Sequence, residues 1–320
     1  MVANWLAELD GRRIAVEVPA TSANLGAGYD CLGLALDLTD RIEVEVRSWS
    51  RGEIELEIDG EGVDELTEDR DNRFVQSLES TLVTLRGEIP EGVGWRIAMR
   101  NRIPLLRGLG SSAAATVAGV VAGNALADGN LAPADMLRMA SAIEGHPDNV
   151  GAALLGGFVA SAAIDGTVEA LRFDVPRDLR CVLFIPELRL PTATMRAALP
   201  KTVPFDDAAT NLARVALGVA GIAGRRTDLL RYLTIDRLHE PYRAKVYPQL
   251  PQLVAAAREA GALGACLSGS GSSVIAFTNT VAAVARIEAA FSAVAADTDL
   301  PGEATVVTPR NAGARVVHRS

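Results

Sequence analysis

Gly108 and Gly110 bend the run Arg102-Ile-Pro-Leu-Leu-Arg-Gly-Leu-Gly-Ser-Ser-Ala-Ala-Ala115, which opens a helix of small residues reaching Ala127. Residues without a Cβ let the backbone come close to a bound group. Ser111 and Ser112 are good N-cap residues, and the first amides of a helix have no partner within it. Together with the positive end of the helix dipole, those amides make an anion site, most naturally for phosphate. The string is not a P-loop, which needs a lysine just after its glycines; the only lysines, Lys201 and Lys245, follow no such loop. A well-capped buried helix with no ligand satisfies the same string, so its neighbours decide.

Three other groups of residues carry chemistry. In Pro19 to Leu36, dense in glycine and small polar residues, Asn24 and Asp30 are the strong hydrogen-bonding side chains, either holding a ligand or bracing the turn. Glu144-Gly-His-Pro-Asp-Asn-Val150 bunches Glu144, His146, Asp148 and Asn149 between two apolar stretches, which reads as a site, although His146 alone reads as a structural histidine. Farther on, Arg196 precedes Leu199-Pro200, and Arg243 lies in His239-Glu-Pro-Tyr-Arg-Ala-Lys-Val-Tyr-Pro248.

The elements that must position these residues follow from periodicity. Ile14 to Val18 reads as a strand stopping at Pro19. Ile42 to Val46 and Ile54 to Ile58 alternate apolar with charged residues and read as a solvent-facing antiparallel pair. Arg73 to Leu85 has helical spacing with Asn72 at its start, and Trp95 to Met99 alternates again and leads into the glycine turn. Strand, turn and helix form the context an anion-binding loop needs. A helix begins at Pro133 and runs to Ile143. Turns at Asp165-Gly166 and Pro176-Arg-Asp flank a short strand, Val168 to Phe173, and the change of texture there divides the chain into domains 1–167 and 168–320. The second half reads as a buried strand at Cys181 to Ile185, helices over 208–223, 228–233, 248–260 and 281–294, and strands at Val274 to Phe277 and Ala304 to Val307. A second glycine-serine turn, Leu267 to Ser273, enters a strand rather than a helix. Strands mixed with helices in each half predict an α+β protein with two layers per domain.

At 320 residues the chain is long enough for two cores, and 49% hydrophobic with 22% charged residues is globular composition. A net charge of -9 argues against nonspecific nucleic-acid binding and against an anionic membrane surface. A polyanionic ligand therefore needs local amides, arginines and a metal. Met1 to Gly11 lacks the basic start and apolar run of a signal peptide, and Ala113 to Ala127 is too short and too interrupted to span a membrane. Cys31, Cys181 and Cys266, widely spaced in apolar runs, read as reduced, buried thiols of a soluble cytosolic protein.

Taken together, the motifs resemble those of the GHMP small-molecule kinases and, within that superfamily, of the homoserine kinases. The resemblance rests on Pro19-Ala-Thr-Ser-Ala-Asn-Leu-Gly-Ala-Gly-Tyr-Asp-Cys-Leu-Gly-Leu-Ala-Leu36, on the glycine loop, on Glu144 to Val150 with the Leu-Leu-Gly-Gly that follows, and on Leu267 to Phe277. It implies a ribosomal S5-like N-terminal domain, a ferredoxin-like C-terminal domain and ligands in the cleft between them. It implies transfer of the γ-phosphoryl group of Mg-ATP to the hydroxyl of L-homoserine in threonine biosynthesis. Pro104, Leu105, Leu106, Arg107, Gly108, Leu109, Gly110, Ser111, Ser112, Ala113 and Ala114 would wrap the ATP phosphates, with Asn72 near the adenine. Ser112, or alternatively Ser111, would join Glu144 on Mg2+. Asn24, Asp30, His146 and Asp148 would line the amino-acid pocket, Asp30 facing the ammonium, and Arg196 and Arg243 would grip the carboxylate. Asn149 occupies a slot that resembles a catalytic aspartate in several related kinases, so catalysis is expected without a dedicated strong base. A homodimer is the family's expectation.

The chain departs from the usual pattern at Ala27, Tyr29, Leu106 and Ser272, where proline, phenylalanine, glycine and proline are common. Leu106 bears on the path of the loop entrance and Tyr29 on the seal of the substrate pocket. Two other readings compete: a superfamily kinase acting on mevalonate or a sugar, and a noncatalytic nucleotide-binding regulator that kept the fold.

Overall fold

The computed structural model describes residues 5, 7–48, 52–89 and 92–320. Of the N-terminal stretch weighed above as a signal peptide, Met1 to Asn4 and Leu6 lie outside the described residues. The first half builds β1 (Arg13–Ala23), β2 (Leu32–Arg47), β3 (Ile54–Gly60), α1 (Arg73–Arg86), β4 (Gly94–Asn101), α2 (Ser111–Leu126), α3 (Pro133–Glu144), α4 (Pro147–Leu155), β5 (Phe158–Ile164) and β6 (Thr167–Phe173). The second builds β7 (Arg180–Pro186), α5 (Thr192–Ala197), α6 (Phe205–Ala223), α7 (Leu230–Leu233), α8 (Glu240–Arg243), α9 (Leu250–Glu259), β8 (Gly264–Leu267), β9 (Val274–Thr278), α10 (Val281–Asp297), β10 (Gly302–Val307) and β11 (Arg315–Arg319).

Two sheets result, as an α+β chain requires. The first follows the path β11-β1-β2-β4-β3, with β5 pairing β2 and β6 pairing β5; the second runs β10-β7-β9-β8. In chain order the second is 4-1-3-2 and antiparallel throughout, the ferredoxin-like arrangement. Cys181 and Leu183 of β7 face the first core, while Val182 and Phe184 face the second. A sheet covered on both faces reads as an unbroken apolar run, which is how Cys181 to Ile185 appears in the sequence.

Several expectations are corrected. β3 does not pair with β2 in an antiparallel hairpin; it lies parallel to β4, which separates the two. The acidic loop and α1 supply the crossover that parallel pairing needs. Within β2 the alternation holds, with Ile42, Val44 and Val46 buried and Arg41 and Glu43 on the more open face. β1 does not stop at Pro19 but continues past a register shift between Pro19 and Ala20, where a residue without an amide hydrogen is tolerated. The strand Thr167–Phe173 extends the first sheet through β5, and β11 returns to pair with β1, so residues placed beyond the boundary at 167 belong to the first layer.

The helix of small residues has a packing reason. A Cβ on Gly119 would lie 2.5 Å from Phe74 O, so α1 and α2 meet at backbone distance. This contact seats the N-terminus of α2 above the sheet. Among the described residues no helix is long and apolar enough to cross a membrane. The three cysteines are free; Cys181 and Cys266 are buried as expected, whereas Cys31 is only partly so.

Candidate active site

The start of α2 opens into a cavity of about 650 Å³ walled by both halves of the chain. Every candidate site residue drawn from the sequence lines it except Ala114, which points into the core at 0% exposure.

The glycine loop takes its shape from the protein rather than from a ligand. Gly108 has φ +71°, and a Cβ there would lie 2.1 Å from Ser268 O; Gly110 has φ +74°, and its Cβ would lie 2.0 Å from Thr21 Oγ1. The second glycine-serine turn is thus the brace of the first. Ser268 Oγ donates to Gly108 O at 2.7 Å, and Ser273 N donates to Arg107 O at 3.0 Å. The N-cap of α2 is the left-handed Gly110, with no side-chain cap, so Ser111 and Ser112 sit in the first turn instead of capping it. That placement frees the hydroxyls. Ser112 Oγ donates to Glu144 Oε2 at 3.1 Å, and so does Thr116 Oγ1, a residue the sequence reading missed. Leu106, where glycine was the common residue, carries φ +56° and is 47% exposed, so it adopts a glycine-like conformation with a leucine side chain.

The opposite wall is charged. Arg196 holds Asp30 through two bonds, Nη1 to Oδ2 at 3.0 Å and Nη2 to Oδ1 at 2.7 Å, and also donates to Tyr29 Oη at 2.8 Å. Arg243 is 1% exposed and gives Nη1 to Gly269 O at 3.0 Å; burial pulls its pKa down. Its guanidinium and that of Arg196 lie 5.5 and 5.6 Å from the centre of the Tyr29 ring. Stacking on one ring keeps two like charges on the same wall. Asn24 lines the cavity and also braces its turn: its amide donates to Gly269 O at 2.8 Å and accepts from Asp30 N at 3.0 Å.

Between these walls lies the segment after α3. Asp148, 2% exposed, accepts from Asn149 N at 2.7 Å and meets His146 Nδ1 at 2.7 Å. That hydrogen bond raises the pKa of His146 above its ordinary value, outweighing burial. Asn149 Oδ1 accepts from Thr21 Oγ1 at 2.7 Å. Asn72 spends its side chain capping α1, accepting from Phe74 N at 3.0 Å and donating to Thr67 O at 2.9 Å. Beyond it the wall turns apolar with Ile42, Leu66 and Met99, joined by Asp40 and Asn101. None of these five was singled out from the sequence, because strand alternation alone does not show which face meets a ligand.

Residues 72–157 match the GHMP kinases N terminal domain, and residues 213–297 match the GHMP kinases C terminal domain. A homoserine kinase of Moorella thermoacetica is 43% identical over 262 residues, covering 82% of this chain and 86% of the relative. One from Carboxydothermus hydrogenoformans is 40% identical over 273 residues, 85% and 88% of the two chains. Among solved structures, homoserine kinase from Cytophaga hutchinsonii superposes with a TM-score of 0.85 at 31% identity, covering 95% of this chain and 97% of its own. A mevalonate kinase from L. major, with a TM-score of 0.67 and 16% identity, shares the fold alone. Both halves match in order, and relatives at 40% identity or above span more than four fifths of the chain, so it belongs to the GHMP kinases and, within them, to the homoserine kinase family.

Proposed function

We propose that this protein is a phosphotransferase that moves the γ-phosphoryl group of ATP to the side-chain hydroxyl of L-homoserine, forming O-phospho-L-homoserine for threonine biosynthesis in the cytosol. The observation that carries the reading is that one cavity joins a helix N-terminus in a glycine loop to a wall holding Asp30 beside Arg196. The first end suits a triphosphate; the second suits a zwitterion. A substrate ammonium would turn to Asp30 and its carboxylate to the Arg196 fork, replacing one internal ion pair with two bonds to the ligand. Mevalonate and sugars have no ammonium to offer.

Phosphoryl transfer asks mainly for alignment and charge neutralisation. The amides at the start of α2 would hold the phosphates. Ser112 Oγ and Glu144 Oε2, 3.1 Å apart at the mouth of the loop, are hard oxygen donors of the kind magnesium takes while keeping several waters. These two residues would hold Mg2+, whose charge would offset that of the phosphates. Asn149, fixed by Thr21, has no useful proton affinity; its part is positioning, and no strong base is assigned. Assaying ATP turnover with homoserine, mevalonate and galactose tests the reading, and turnover with mevalonate alone overturns it.

The family's homodimer finds support on α6. Phe205 and Leu212, seven residues apart on one face of that helix, are 85% and 73% exposed, large apolar side chains more typical of an interface than of a wet surface. Light scattering would read two chains per particle, and Leu212→Asp would shift the mass toward one.

A further inference from the structure

Asp40 is 4% exposed, yet it lines the cavity. Its Oδ1 accepts from both Arg102 N at 2.6 Å and Ile103 N at 3.0 Å. Its Oδ2 has no hydrogen-bond partner among the described residues, and it is not one of the buried atoms sealed off from solvent without a partner. A carboxylate fixed through one oxygen by two backbone amides leaves the other as an acceptor for a ligand in the cavity.

The register of the sheet indicates which ligand edge arrives there. Ile42 pairs with Met99 across β2 and β4, and Asp40 and Asn101 come next along the same two strands. Alternation puts all four on one face. Ile42 and Met99 offer an apolar face to a flat ring, with Asp40 and Asn101 next to them along the strands. Asn101 donates its amide nitrogen to Glu61 O at 3.1 Å, and Asn72 Oδ1 caps α1 by accepting from Phe74 N.

We propose that Asp40 selects the base of the nucleotide, its free oxygen accepting a hydrogen bond from the exocyclic amine of adenine. The inference rests on the reading of the site as an ATP-dependent kinase. A base with a carbonyl in place of that amine, as in inosine triphosphate, sets an acceptor against an acceptor. Asp40→Asn inverts the pattern: the two backbone amides keep Oδ1 of the new side chain, so its NH2 group occupies the place of Oδ2 and donates.

Nucleotide binding by calorimetry and kinetics at saturating homoserine test this with ATP, inosine triphosphate and purine riboside triphosphate, which lacks the amine and has no carbonyl. The wild type is expected to bind purine riboside triphosphate ~10–100-fold more weakly than ATP, the loss expected for one bond to a charged acceptor. Asp40→Asn is expected to compress the preference for ATP over inosine triphosphate by at least ~10-fold, with the KM for homoserine unchanged. An unaltered preference in a folded Asp40→Asn variant overturns the assignment. Equal binding of ATP and purine riboside triphosphate by the wild type does so without any variant. Discriminating binding without turnover of homoserine would overturn the proposed reaction and leave the role of Asp40 standing.

Discussion

Asp30 and Arg196, 166 residues apart in sequence, face each other through a two-pronged ion pair in which each side chain remains about a third exposed. At that exposure the pair adds little stability, which leaves both partners open to the proposed substrate. Arg196→Lys keeps the charge and loses the fork. The KM for homoserine should rise ~10–100-fold with kcat within a few-fold of wild type. Steady-state kinetics at saturating ATP decide it, and an unchanged KM would remove Arg196 from the substrate site.

Glu144 gathers the hydroxyls of Ser112 and Thr116 at the mouth of the phosphate loop. Glu144→Gln keeps the shape and removes the charge a hard cation needs. The magnesium concentration for half-maximal rate should rise by ~10-fold or more, with kcat reduced. A magnesium titration with normal turnover in Glu144→Ala at saturating metal would falsify the assignment.

On the proposed reading, a carboxylate added at Asn149 would lie beside Asp148 and face the incoming phosphate. Asn149→Asp should therefore not raise kcat, and Asn149→Ala should lower it through lost alignment with Thr21. A gain of ~10-fold or more in kcat for Asn149→Asp would show that the reaction is limited by the lack of a base.

His146 is held protonated to higher pH than an ordinary histidine, chiefly by its bond to Asp148. Its folded value lies above the unfolded one, so the stability it contributes is full below about pH 6.5 and is lost as pH rises through the folded value. Imidazole NMR titration should place its midpoint above 6.5 in the wild type and lower in Asp148→Asn, where the hydrogen bond and charge of Asp148 no longer oppose burial. Tm compared from about pH 6 to about pH 9 should show the advantage of wild type over Asp148→Asn shrinking with rising pH.

The loop backbone makes opposite predictions at two neighbouring positions. Gly108→Ala combines positive φ with a contact to Ser268 O that no side-chain shift relieves, so it should cost ~2–4 kcal/mol and weaken ATP binding. Leu106→Gly removes a left-handed leucine and should be neutral or stabilising by ~1 kcal/mol. Thermal unfolding with and without nucleotide reads both.

Contiguous features were legible in the sequence: the glycine loop opening α2, the cluster from Glu144 to Asn149, the start of α1 beside Asn72, and the buried run of β7, because turn chemistry and periodicity act over a few neighbouring residues. The partners of those features were not. That β3 lies parallel to β4, that β11 closes on β1, that Thr21 fixes Asn149, that Ser268 moulds Gly108, and that Asp40 reaches the cavity all depend on pairing between segments far apart in the chain. Alternation says that a strand has two faces but not what covers each. The sequence by itself determined which groups this protein can bring to a reaction; packing α1 on α2, and the second sheet between two cores, decided which of them meet.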